Sequence, residues 1–240
     1  MRRPDPHKSF WLFASGKKNS GKSRLCRAWF DAYPLDRVVI DPTGDIRRDL
    51  QADGVDFIEL EHGNLPVRLP EPKEGQTRVT CVFVPDVKAP DYVDEMDRVV
   101  GLCLTRGARP VLLWIDEWGS LTTAHKTPPN TRVAVHQGRH HDLSLLLCCP
   151  RPQHVEPLGI SQADAVATFR TPNIRDRDVI AGNIGFDPAE FSRHNRQHCG
   201  SADHAYTLYD AGDDVLYLMP PLPAPKRSDL PAAPDEILPT

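Results

Sequence analysis

The stretch Ser9–Phe30, SFWLFASGKKNSGKSRLCRAWF, decides how the rest of the chain is read. An apolar run, Phe10–Ser15, leads into a glycine-framed polar loop, Gly16–Ser23, and then into a run with helical spacing, Lys22–Tyr33. The pattern G-x-x-x-x-G-K-[ST] folds around a phosphate chain. Its glycines clear side chains from places where backbone N–H groups must point inward, and the N-terminus of the next helix adds a favourable dipole. Gly16, Lys17, Lys18, Asn19, Ser20, Gly21, Lys22, Ser23 and Arg24 are therefore the expected nucleotide-binding residues, with ATP and Mg²⁺ as cofactors. In this arrangement Lys22 neutralises the β- and γ-phosphates, and the Ser23 hydroxyl completes the coordination of Mg²⁺. A flexible glycine-lysine turn after an edge strand is the plain alternative, but it does not explain why strand, loop and helix follow in the required order.

A phosphate loop alone leaves the reaction open; a carboxylate at the end of a buried strand narrows it. The segment PVLLWIDEWG, residues 110–119, supplies one. Val111–Ile115 is an apolar run short enough for a central parallel strand, and Asp116 and Glu117 emerge at its carboxyl end, where open α/β sheets bind ligands. Asp116 is expected to hold Mg²⁺ through water, and Glu117 to orient and polarise the attacking water. Two surface acids capping a strand are the alternative. An acid beside the metal-binding aspartate favours a hydrolase over a kinase.

At 240 residues, with 40% hydrophobic side chains, the chain suffices for one sizeable α/β core with at most a small appendage. Its apolar runs fall far short of a membrane span, and its start lacks a secretory signal, so a cytoplasmic protein with no membrane partner is expected, in the host cytoplasm if viral. The six cysteines form no C-x-x-C pair and mostly sit in apolar segments, which suits buried, reduced thiols. A formal net charge of −4 argues against a uniformly basic nucleic-acid surface and leaves room for a local basic strip.

Period and punctuation place strands near Phe10–Ser15, Arg37–Asp41, Asp56–Glu59, Arg78–Val84, Pro110–Asp116, Leu143–Cys149 and Ala165–Arg170. Helices are expected near Lys22–Tyr33, Asp91–Thr105, Asn130–His141, Ile174–Asn183 and Pro188–His194, the last opened by Asp187 as N-cap. This alternation implies a mostly parallel central sheet with helices on both faces, closed by an edge hairpin turning at Gly212. One ATPase domain, residues 1–219, is expected. Residues 220–240 form a proline-rich tail, either disordered or wrapped in extended form on a neighbouring subunit.

Three further strings carry a resemblance. VVIDPTGDI (Val38–Ile46) is similar to the aspartate-proline-glycine segment after the second strand of the FtsK–HerA superfamily of ring-forming DNA translocases. HQGRHHDLSLLLCCPRPQHV (His136–Val155) is similar to that superfamily's strand beyond the Walker B motif with its Gly-Arg and Arg-Pro flanks, and ADAVATFRTPNIRDRDVI (Ala163–Ile180) to its final core strand and helix. In joint order, from about Phe10 to Met219, the strings resemble a small member of this superfamily, of the kind that packages viral and phage genomes. The resemblance implies a RecA-like P-loop NTPase fold of the ASCE type and ATP hydrolysis that drives double-stranded DNA. It implies a homo-oligomeric ring, pentamer or hexamer, and a portal or other assembly partner. It also implies a trans-acting arginine before the strand that follows Walker B, a position matched by Arg139, with Arg132 as fallback; a solvated arginine meeting a helix dipole is the alternative for Arg139. One departure stands out: Pro150 occupies the place where the superfamily usually carries a polar γ-phosphate sensor, leaving Arg151 and Gln153 as candidates.

Other features stay open at this level. His194, His198, Cys199 and His204 have zinc-ligand types at irregular spacing, which a solvated loop explains better. Arg170, Arg175, Arg177, Arg193 and Arg196 suit phosphate-backbone contacts, or, with Asp176 and Asp178 interleaved, a salt-bridged helix face. HKTPPNT (His125–Thr131), between the acidic strand and the next helix, is a loop that by its order in the chain could project toward a central channel. A nucleotide-dependent assembly factor with slow hydrolysis is the rival function, supported by Pro150; a P-loop kinase is the third.

Overall fold

The computed structural model describes residues 8–107, 109–201 and 204–222. Its strands are β1 (Trp11–Ser15), β2 (Asp36–Ile40), β3 (Ile58–Leu60), β4 (Thr80–Phe83), β5 (Val111–Ile115), β6 (Leu143–Cys149), β7 (Ala165–Thr168), β8 (Tyr206–Asp210) and β9 (Val215–Met219). They form one nine-stranded sheet in the order β3-β4-β2-β5-β6-β1-β7-β8-β9. The six pairings of this row from β3 to β7 are parallel, and β8 and β9 add an antiparallel edge hairpin. The parallel sheet and edge hairpin are those read from the sequence. β6 lies between β1 and β5, so the loop after β1 and the acids after β5 sit at the same end of the sheet, one strand apart.

Alternate residues of each central strand feed two separate cores, because strand side chains switch faces at every step. Leu12, Ala14, Leu112, Trp114, Leu146 and Cys148 meet Leu25, Cys26, Trp29 and Phe30 of α1 (Lys22–Ala32) and Ile46 and Leu50 of α2 (Asp45–Ala52) on one face. Phe13, Val38, Leu113, Ile115, Leu145 and Leu147 meet α3 (Tyr92–Leu104), α4 (Pro129–Gln137) and α6 (Ile174–Asn183) on the other. Burial on both faces is why these strands read as continuous apolar runs. All six cysteines are buried free thiols.

Several expectations need correction. The helix at Asn130–His141 ends at Gln137 and continues as a 3₁₀ turn, Gly138–His141. The helix opened by Asp187, α7, runs from Pro188 to Ser201 and not to His194; Asp187 Oδ1 accepts from the Glu190 N–H at 2.7 Å, as an N-cap should. It continues because Phe191, Asn195 and Cys199, four apart, all face inward. β7 stops at Thr168, and two helices, α2 and the short α5 (Leu158–Ser161), were not foreseen. Leu222, assigned to the tail, packs against the core; the tail from residue 223 onward lies outside the described residues.

The amino end of the sheet is held by charge. Asp36, fully buried at the start of β2, accepts from Arg106 at 2.7 Å, from Arg109 at 3.0 Å and from the Val79 N–H at 3.0 Å, joining β2, the end of α3 and the approach to β4. Burial alone would raise its pKa, but the bonds from Arg109, Val79 and Arg106 outweigh it and hold the carboxyl below its ordinary value. A carboxyl lowered in the folded state contributes stability that is present above its unfolded pKa and lost as pH falls through the folded one. Asp36→Asn should therefore cost about 3 kcal/mol near neutral pH by urea denaturation, because it leaves buried Arg106 short of a partner. That deficit should shrink as the pH is lowered through the acid range.

Candidate active site

The loop between β1 and α1 is shaped by crowding as much as by its own bonds. Gly16 has φ 147° and Gly21 φ 110°, conformations that side chains resist, and Asn19 between them also has φ 60°. A Cβ on Gly16 would come within 2.6 Å of the Phe169 Cβ, and one on Gly21 within 2.9 Å of the Phe169 ring. Phe169, just past β7, stacks on Tyr206 of β8 at 4.9 Å and so forms a firm floor under the loop. The Lys17 N–H donates to Arg170 O at 3.0 Å, tying the loop's rim to the same segment.

Lys22, largely buried at the first turn of α1, donates to the carbonyls of Gly16 (2.9 Å) and Lys17 (3.1 Å), which aims its ammonium across the mouth of the loop. The Ser20 Oγ is buried without a hydrogen-bond partner among the described residues, an unmet polar group inside the cradle. Directly after Lys22, the Ser23 hydroxyl donates to Asp116 Oδ1 at 3.1 Å. A hydroxyl and a carboxylate thus converge beside the lysine, and this oxygen donor pair suits Mg²⁺, a hard cation that keeps most of its waters.

Asp116 is buried, and its N–H donates to Ile40 O at 3.0 Å, which seats it against the end of β2. Burial pushes its carboxyl above the ordinary aspartate value, while the Cys148 thiol and Ser23 hydroxyl pull the other way. Glu117 follows in the left-handed region, φ 69° and ψ 63°, a strained conformation for a side-chain-bearing residue. The buried Trp118 anchors the 3₁₀ turn behind it. Burial raises the Glu117 pKa, the charge of Asp116 raises it further, and Lys22 and Lys18 oppose both.

The structure thus brings together Gly16–Ser23, Asp116 and Glu117. It does not bring Arg139 to them: that residue lies before β6, at the opposite end of the sheet. There it donates to Asp164 Oδ1 (3.0 Å) and Gln162 O (2.8 Å) and covers the Trp11 ring at 4.7 Å. Arg151 bonds the buried Asp176 at 3.1 Å, and Asp176 also accepts from the Gln153 N–H, so both sensor candidates are tied to α6.

Arg177 corrects both readings made for the arginine group. It is 1% exposed, and its guanidinium donates to Thr171 O, Pro172 O and Ser192 Oγ, where it reaches neither DNA nor a solvated helix face. Asp176, likewise buried, serves Arg151 and Gln153. The loop at His125–Thr131 begins in a tight turn closed by a Thr123–Lys126 bridge and is held by Thr127 on Glu156. Among the described residues no three metal-ligating side chains gather, and His198 Nε2 instead lies 2.8 Å from Met219 O.

Two neighbours of the site escaped sequence reasoning. Asp41, at the end of β2, is fully buried with bonds from the Arg47 N–H (2.8 Å) and Thr43 (3.2 Å); burial raises its pKa, and its charge in turn raises that of Asp116. Its signal was present in the aspartate that opens DPTGD directly after an apolar run. His204, at φ 66°, lies beside Gly21; the sequence marked it only as a zinc-ligand type and not as a neighbour of this loop.

No family profile matches the sequence, and no curated protein sequence matches it. Its fold is that of P-loop ATPases. The genome packaging NTPase B204 from Sulfolobus turreted icosahedral virus 2, solved in complex with ATP-γS, aligns with a TM-score of 0.65 at 18% identity over 91% of this chain and 99% of that one. VirB4 of Thermoanaerobacter pseudethanolicus aligns at 0.63 and 14%, covering 93% and 92%, and the cytoplasmic domain of the type VII secretion ATPase EccC of Thermomonospora curvata at 0.54 and 16%, covering 87% and 25%. The fold expected from the FtsK–HerA resemblance is borne out by these neighbours.

Gly16→Ala should destabilise the protein by about 2 kcal/mol or more in urea unfolding. Adding Phe169→Ala should not restore it, because the clash is with the Cβ that alanine keeps.

Proposed function

We propose that this chain is the ATP-hydrolysing subunit of a motor that moves double-stranded DNA, with packaging of a viral genome as its task and the cytoplasm, the host's if viral, as its location. The observation that carries it is the convergence of Lys22, Ser23, Asp116 and Glu117 at one end of a sheet in which β6 separates the phosphate loop from the acidic strand. The likeness in fold to a genome packaging NTPase solved with ATP-γS supports the choice of nucleotide and task.

Backbone N–H groups of residues 16–22 and the N-terminus of α1 receive the phosphates, and Lys22 turns its ammonium from the Gly16 and Lys17 carbonyls to the β- and γ-oxygens. Ser23 and Asp116 would hold Mg²⁺, which when bound neutralises charge on those oxygens. Glu117, its backbone fixed by strain and by the buried Trp118, orients the attacking water and takes up its proton.

Arg139 cannot reach the phosphates of its own subunit. Its place at the foot of β6, partly exposed, supports a role at a neighbour's phosphates in a homo-oligomeric ring, a pentamer or hexamer, where such a residue is worth about 10³–10⁵ in rate.

Turnover of ATP with and without duplex DNA separates this reading from its rivals. DNA-stimulated hydrolysis that Glu117→Gln lowers at least about 100-fold, with ATP still bound, supports the motor. Turnover near zero that ignores DNA, or phosphate transfer to an added acceptor, would overturn it. Mixing Arg139→Ala subunits with Glu117→Gln subunits should recover activity that neither has alone, since each lacks what the other supplies. Because the Glu117 pKa is raised in the free subunit, kcat/KM should fall on acidification at a pH above the ordinary glutamate range; a limb at or below that range would count against Glu117 as the base.

A further inference from the structure

α6 and α7 line an open groove of about 600 Å³. Its floor is apolar: Ile174, 55% exposed, with Pro188 and Ala189. The α7 wall carries Arg193 and Arg196; the α6 wall carries Asp178. Arg193 holds Glu190 only loosely at 3.4 Å, and Arg196 meets no carboxylate within ion-pair distance among the described residues. The groove therefore offers two cations along one side of an exposed apolar strip.

We infer that this groove is the docking site of Asp235–Leu238, the acidic-apolar segment near the end of the same chain. The sequence there reads PDEILPT: two acids followed by two large aliphatic residues, which combines carboxylates for Arg193 and Arg196 with apolar side chains for the Ile174 floor. Charge and apolar character are matched together, which a duplex does not do, since its phosphates would leave Ile174 and Pro188 uncovered. The other acidic-apolar pair in this region, Asp229–Leu230, has a single acid two residues from Arg227, which cancels it.

The segment is within reach. Met219 O lies 2.8 Å from His198 Nε2, so the described chain leaves β9 beside the last turns of α7. From His198 back to Pro188 is about 15 Å along the helix, and Leu222 lies at most about 11 Å from Met219. The thirteen steps from Leu222 to Asp235 span up to about 43 Å when extended, ample for the path.

The test uses the full chain with a photo-reactive benzoylphenylalanine at position 237, irradiated as a mixture of light and heavy-isotope copies and mapped by mass spectrometry. Cross-links should fall within residues 174–197 of the same copy. R193E/R196E should lower their yield about five-fold, as two exposed ion pairs allow, with D235K/E236K in the same chain restoring it and D229K leaving it unchanged. All of these residues are on the surface or in the tail, and an unchanged thermal melt verifies that the fold is kept. Cross-links elsewhere, a yield indifferent to R193E/R196E, or links that join two copies would each overturn the proposal. So would loss of duplex DNA binding in R193E/R196E with the cross-link intact, which would assign the arginines to nucleic acid.

Discussion

The hydrogen bond from Ser23 to Asp116 joins groups carried by strands that are not neighbours. Ser23 is positioned by β1 through the loop and α1, Asp116 by β5, and β6 lies between. A bond across that gap survives only if all three strands hold their registers. Their registers are fixed on opposite sides of one strand: Ser15 pairs with Cys149 and Ile115 with Leu147, so β5 ends two residues short of β1 and leaves room for Asp116 to turn toward Ser23. β6 is buried at all seven positions, the longest of the fully buried strands, and it acts as a spacer between the glycine loop and the acid. The same enclosure raises the pKa of both acids, so the site holds its carboxylates in a dry, electrostatically strong setting.

Buried charges elsewhere serve to fasten and not to react. Asp36 at one end of the sheet gathers two arginines and thereby fixes where α3 returns to β5. Arg177 and Asp176, adjacent on α6, point to different tasks: the first fastens the loop after β7 to α7, the second holds the turn after β6. The segment that floors the glycine loop and the segment that exits β6 are thus tied through one helix, and the candidate site rests on charged contacts that lie outside it.

How much of this could be read in advance depended on whether a residue's role is local. The phosphate loop, the acidic strand end and the alternation of strands with helices were legible because each is a short pattern with one geometric meaning. α2 was not: its eight residues, DIRRDLQA, bury only Ile46 and Leu50, too little apolar signal to mark a helix, and its start depends on Gly44 in a left-handed conformation and on Asp41 reaching the Arg47 N–H. The end of α7 was missed because Asn195 looks like a surface residue; it is buried because the Phe169 carbonyl and Thr171 N–H await its amide. Arg177 reads as one more cation in a charged run, and only the carbonyls of Thr171 and Pro172 show why it is inside. Such roles depend on backbone groups from other segments, which no string of letters displays.

The seating of Arg139 gives the fold a mechanical property. Spread over Trp11 at the start of β1 and bonded to Asp164 just before β7, the guanidinium closes a clasp across the roots of these two neighbouring strands. Reaching into an adjacent copy means unfastening that clasp, baring the face of the indole and leaving the Asp164 carboxylate held only, among the described residues, by the Trp11 backbone N–H. Contact between copies would then loosen the base of the strand that supports the gripping loop, so a lone copy and an assembled one would differ in stiffness before any nucleotide arrives.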